Sequence, residues 1–160
     1  MVEKDGFAFL AVGRPEAAGC YCSINTYLKA VISMVSGEFD YVVIDGEAGI
    51  EQVNRRVMEN VTHLILVTDP SKKGTQVIQS IKKVADELVM YKKVGAVINR
   101  LNDTEVAKIV DTGEIPVLAQ IPDDPQLALC DVQGKSVMEL PDDSNIVLGV
   151  QRALKAMEIQ

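Results

Sequence analysis

Cys20 and Cys22 stand one residue apart in "AAGCYCSINTYLK" (17 to 29), in a chain with three cysteines in all. Closing a disulfide across a single residue strains the bond, which argues against a redox pair. Two thiolates can hold a zinc or a similar soft ion, but a tetrahedral site needs four ligands. Cys130 and the single histidine, His63, have no motif spacing toward the pair. A two-fold dimer contributing the same pair from each subunit supplies four sulfurs. Shared metal ligation and plain packing both fit these residues, and Cys130, in "LALCDV", reads as packing.

A second group of candidates follows apolar runs. Asp45 comes directly after "YVVI" and opens "DGEAG" (45 to 49), with Glu47 as a second acid and Gly46 and Gly49 allowing close backbone approach. A carboxylate at a strand end can hold magnesium through water and phosphate, or can simply close a β-α turn. Asn99 ends "VGAVIN" and carries both a donor and an acceptor, a pairing suited to a base edge or to tying its own loop. Arg100 beside it is a solvated charge or a ligand contact. Thr68, Asp69 and Ser71 are cap candidates for the helix that follows them.

The elements that must position these residues are legible as a pattern. Five short apolar runs, at 7 to 12, 41 to 44, 63 to 68, 94 to 99 and 115 to 121, alternate with stretches of helical period. That pattern predicts an α/β fold with an open, mostly parallel sheet flanked by helices. Ile24, Tyr27, Leu28, Val31 and Val35 predict a helix capped at Ser23 and ended by Gly37. A second helix is expected from about Lys73 to Tyr91, a short third around Val106 to Val110, and a closing one from Ile146 to Met157, capped near Ser144. Segments 46 to 60 and 122 to 142 read as loop-rich. In such sheets ligands gather beyond the carboxyl ends of the strands, and "DGEAG", "TDPSKKG" and "NRLND" all leave strands there.

The totals exclude some functions. A chain of 160 residues, 48% hydrophobic, fits one domain, 1 to 160. A net charge of -7 without a basic cluster argues against a nucleic-acid partner. No apolar run approaches the roughly 20 residues that cross a bilayer, and three cysteines suit a reducing, cytoplasmic setting. Neither GxxxxGK[ST] nor G-x-G-x-x-G is present in the required place. No serine sits in a nucleophile-elbow context.

Together, "AAGCYCSIN", "FDYVVIDGEAGIEQVNR", "HLILVTDPS" and "VGAVINRLND" resemble the MinD/ParA-like deviant P-loop ATPases, and among them the CooC-like nickel-insertion ATPases that serve carbon monoxide dehydrogenase. The resemblance spans most of residues 7 to 125. It implies a P-loop NTPase-like fold of the SIMIBI class, with this chain as the carboxyl-terminal part of such an ATPase domain. It further implies zinc or nickel on Cys20 and Cys22 at a homodimer interface. Asp45 takes the place of the Walker-B aspartate that holds magnesium, Glu47 lies in the switch that senses phosphate, Asn99 and Arg100 stand at the adenine, and Pro122 and Asp123 lie in the loop beside the base.

The departure from the family is the missing lysine-rich phosphate loop, with its strand, expected between the strands equivalent to 41 to 44 and 63 to 68. The expected accounts are a shortened chain, a natural relative without ATP hydrolysis, or a split protein whose partner supplies that loop. On its own the chain is expected to show no ATPase activity, with ATP and magnesium bound only when the loop is supplied. A carbon monoxide dehydrogenase-type target is the partner the resemblance implies. The alternatives are a non-enzymatic metal-binding or interaction protein, and a MinD/ParA-like ATPase piece with no metal role.

Overall fold

Continuous apolar runs form strands buried on both faces only where neighbours pair with them on either side. The structure, a computed structural model, describes residues 2–4, 6–11, 21–46 and 60–159, with the backbone alone for Lys4 and residues 21–27. The chain divides into two compact units, Met1–Ile44 and Asp45–Gln160.

In the first unit, β1 (Val2–Lys4) and β2 (Phe7–Phe9) form an antiparallel hairpin in which Val2 faces Phe9 and Lys4 faces Phe7. Gly6, at φ 85°, supplies the left-handed turn that a side chain resists. The run 7 to 12, expected as a parallel strand, is thus shorter and pairs with the residues just before it. Helix α1 (Tyr21–Val35) runs into a 3-10 turn (Ser36–Glu38) containing Gly37. It begins before the expected cap, so Ser23 lies inside the helix.

The second unit holds a three-stranded parallel sheet in the order β3 (His63–Thr68), β4 (Lys93–Asn99), β5 (Val117–Ile121). Right-handed crossover geometry favours a helix between parallel neighbours, and α2 (Lys72–Leu88) and α3 (Thr104–Ile109) stand in those places. Beyond β5 come α4 (Pro125–Gln133), a 3-10 turn (Val137–Glu139) and α5 (Asn145–Ala156).

Alternation along the central strand divides the core in two. Ala96 and Ile98 face Leu66, Ile78, Leu101 and Ile115 on one side, whereas Val97 faces Ala119, Ile121 and Ala153 on the other. Two glycines permit close approach. A Cβ on Gly95 would overlap the Leu118 side chain, and one on Gly149 would overlap Ile121, so α5 lies directly on β5 because residue 149 has no side chain.

Two expectations are corrected. Residues 41 to 46 form irregular backbone, with Val43 93% exposed. Apolar β-branched residues are not enough for a strand, because ladder hydrogen bonding to a neighbouring strand decides it, and this run belongs to neither of the two sheets of the described residues. The region 122 to 142, expected as loops, contains α4. The Asp124 side chain accepts from Gln126 N and Leu127 N, Pro125 occupies the first turn, and Gly134 closes the helix at φ 64°.

Candidate functional site

Three loops leave the carboxyl ends of β3, β4 and β5, where parallel sheets place ligands. Their first residues are fixed by the ladder: Thr68 lies opposite Ile98, and Asn99 opposite Ile121.

The loop after β3 is folded onto itself. Asp69 Oδ1 accepts from Ser71 N at 2.9 Å and from Ser71 Oγ at 2.5 Å, while Ser71 Oγ accepts from Gly74 N at 3.0 Å. Ser71 is therefore the cap of α2, chosen among the three candidates because its oxygen reaches the third amide of the helix. A Cβ on Gly74 would overlap Thr68 Oγ1 and Asp69 Oδ1, so the first turn of α2 presses on this loop. The Ser71 hydroxyl and amide hold the Asp69 carboxyl below the usual carboxylate range, and the positive charge of Arg100 adds to the effect. That influence brings the loops after β3 and β4 into one electrostatic neighbourhood.

In the loop after β4, Asn99 Oδ1 accepts the Arg100 amide at 3.0 Å. Arg100 sits at φ 59°, a left-handed conformation uncommon for a residue with a Cβ. Leu101 N then donates to Ile121 O at 3.0 Å, returning the chain to β5. The loop after β5 meets it: Asn102 Nδ2 donates to Asp123 Oδ2 at 2.6 Å, and Asp123 N donates to Asn102 Oδ1 at 2.8 Å. Asn145 Nδ2, at the start of α5, donates to Asp123 O at 2.9 Å, and Ile146 N donates to Asp124 Oδ2 at 3.0 Å.

The structure thus gathers Asn99, Arg100, Pro122 and Asp123 at one end of the sheet. Asp45 lies in exposed irregular backbone, and Glu47 lies outside the described residues. Sequence reasoning missed Asn102, Asp124 and Asn145. Only the Asp124-Pro125 dipeptide, a helix-start signal, could have pointed to one of them. A groove of about 390 Å³ between α2 and α3, lined by Pro70, Lys72, Thr75, Gln76 and Ile109 among others, contains none of the predicted residues.

The zinc or nickel site is corrected. Among the described residues no group of three or more His, Cys, Asp or Glu side chains could hold a metal ion. Cys130 is a half-buried free thiol on α4. His63 is engaged elsewhere, with Nδ1 2.9 Å from Thr62 Oγ1 and Nε2 3.2 Å from Met157 O. The additional ligands that two thiolates need are therefore not assembled among the described residues. Cys20 and the side chain of Cys22 lie outside the described residues. The nickel-insertion function and the metal-bridged homodimer both rested on that site and fall with it. Among the described residues no helix is long and apolar enough to cross a membrane.

Comparison with known proteins places this geometry in a wider class. No protein-family model matches the chain. An uncharacterized ATP-binding protein of Methanocaldococcus jannaschii is 33% identical over 156 residues, covering 94% of this chain and 61% of the relative. The carbon monoxide dehydrogenase accessory protein CooC of Rhodospirillum rubrum is 28% identical over 144 residues, covering 87% of this chain and 54% of its own length. Septum site-determining MinD proteins match as well. The crystal structure of the Pyrococcus furiosus cell division ATPase MinD superposes with a TM-score of 0.65 at 22% identity, over 84% of this chain and 58% of that one.

The fold is that of a P-loop NTPase, and the chain is related to the MinD/ParA-like superfamily. The narrower identification with CooC is not upheld, since the uncharacterized ATP-binding protein matches at higher identity than CooC does. The chain spans about 60% of the length of the curated relatives it matches first.

Proposed function

We propose that this chain carries the base-binding end of a MinD/ParA-like nucleotide-binding domain and acts there without a cysteine-held metal. The observation that carries the reading is the placement of Asn99. It ends the central strand, its Oδ1 is committed to the Arg100 amide, and its Nδ2 has no acceptor among the described residues. A fixed amide with free donor hydrogens, flanked by Arg100 and the Pro122-Asp123 loop, is suited to the acceptor nitrogen of a purine edge. Two of the similar proteins, an uncharacterized ATP-binding protein and a cell division ATPase, support the choice of ATP.

Asp45 and Glu47 are assigned, by sequence position alone, to the phosphate end of the same nucleotide. These residues contain no GxxxxGK[ST] pattern, so in this reading the phosphates are held by amides from outside them, in the same protein or in a partner chain. In this proposal the 160 residues correspond to the carboxyl-terminal part of the ATPase domain.

The test is a titration of the isotope-labelled chain with ATP, followed at its backbone amides. Shifts centred on Asn99, Arg100 and Asp123 are expected, with Asn99→Ala weakening binding about tenfold, the equivalent of one to two hydrogen bonds. Shifts absent from these residues, or unaffected by Asn99→Ala, overturn the proposal.

A further inference from the structure

The reciprocal contact between Asn102 and Asp123 joins residues 21 apart in sequence, on loops that leave adjacent strands. Each side chain or amide of the pair has its partner in the other. Asn102 gives Nδ2 to the carboxylate and takes the Asp123 amide on Oδ1, a closed two-bond ring that holds one relative orientation of the two loops. The third polar group of Asp123, its carbonyl, accepts from Asn145 Nδ2 at 2.9 Å, which extends the connection to the start of α5.

Between this ring and the end of β4 lies Arg100, whose left-handed backbone is bounded by two hydrogen bonds. Its own amide goes to Asn99 Oδ1, and the next amide goes to Ile121 O. A residue at φ 59° does not hold that conformation by intrinsic preference and relies on restraints at both ends. Asn99 supplies the restraint on one side and the bond from Leu101 N to Ile121 O supplies it on the other, with the Asn102–Asp123 ring holding the next residue of the same loop.

We infer that Asn102 and Asp123 are positioning residues for the base site, a latch that fixes the Asn99–Arg100 turn against the Pro122 loop. This inference rests on the nucleotide reading above and deepens it. Asp123 then acts through its hold on Asn102 rather than by touching the ligand. Both residues are exposed, so their contribution is to the geometry of the loops more than to global stability.

The experiment compares wild type, Asn102→Ala, Asp123→Ala and Asp123→Asn, with ATP and inorganic tripolyphosphate as probes and amide exchange at Arg100 as a ligand-free readout. The two alanine variants are expected to weaken ATP binding about three- to tenfold, leave the melting midpoint unchanged, and speed exchange at Arg100, while tripolyphosphate, which has no base, is expected to leave Asn99, Arg100 and Asp123 unshifted in every variant. Asp123→Asn keeps an oxygen for Asn102 Nδ2 and is expected to restore wild-type binding. If wild type binds ATP through Asn99 and both alanine variants bind equally well, the latch is overturned and the base site stands. If wild type shows no ATP shift at Asn99 and Arg100, the base site itself fails and the positioning role goes with it. Should one alanine variant not fold, the other decides, because each opens the same ring from a different loop.

Discussion

Asn99 Oδ1 accepts the amide of Arg100 at 3.0 Å, so the last side chain of the central strand holds the following residue in a left-handed turn at φ 59°. The turn carries a cost that a glycine would not pay in sterics, and the cost stands where three loops converge. Arg100→Gly is therefore expected to raise stability by up to about 1 kcal/mol, the left-handed penalty less the extra chain entropy of glycine. The same substitution removes the cation beside Asp69 and is expected to weaken ATP binding. Urea unfolding and an ATP titration of this variant check both, and a loss of stability would show that the Arg100 side chain supports the fold more than its backbone strains it.

Asp124 links α4 to α5. Hydrogen bonding from Ile146 N holds its carboxyl below the usual range, with the Leu127 and Gln126 amides and the Ser144 hydroxyl acting in the same direction. A carboxyl with a lowered folded value binds fewer protons than in the unfolded chain. Its stabilisation is thus complete above the ordinary aspartate value of about 3.9 and is lost as pH falls through the folded value. Asp124→Asn keeps a capping oxygen and removes the titration. Urea midpoints measured from about pH 6 down to about pH 3 should fall more steeply for wild type than for this variant. Parallel curves would rule out Asp124 as a source of the acid dependence.

Gly149 brings α5 onto β5. A Cβ there would come within 2.5 Å of Ile121 Cδ1 and Cγ1, and Ile121 is 2% exposed with no room to withdraw. Alanine gains about 1 kcal/mol of helix propensity over glycine, but overpacking a closed core costs about 1–3 kcal/mol. Gly149→Ala is expected to be destabilising on balance, by about 1 kcal/mol. A higher melting temperature for the variant would mean that α5 can move away from the sheet at little cost.

Part of this protein is written in local chemistry and could be read without coordinates. The strands 63–68, 93–99 and 117–121 lie close to the apolar runs that predicted them, because their core-facing positions need apolar residues, most continuously in β4, which is buried from Gly95 to Ile98. Ser144 caps its helix where expected and Ser71, one of three candidates, caps the other, since a cap acts across only three residues. The placement of Asn99 at a strand end, and of "IPDD" beyond the next strand, follows from the same pattern.

What the tertiary structure decided are the relations that span distance in sequence. "YVVI" has the composition of a strand, yet it stays exposed because pairing with a neighbour is not a property of the run. The cysteine spacing suggested a metal, but ligand number is set by what folds nearby, and among the described residues no cluster assembles. Asn102 and Asp123 carry no mark of each other in the chain. They meet because parallel pairing of β4 and β5 aligns Asn99 with Ile121, and two loops that start in register must end as neighbours.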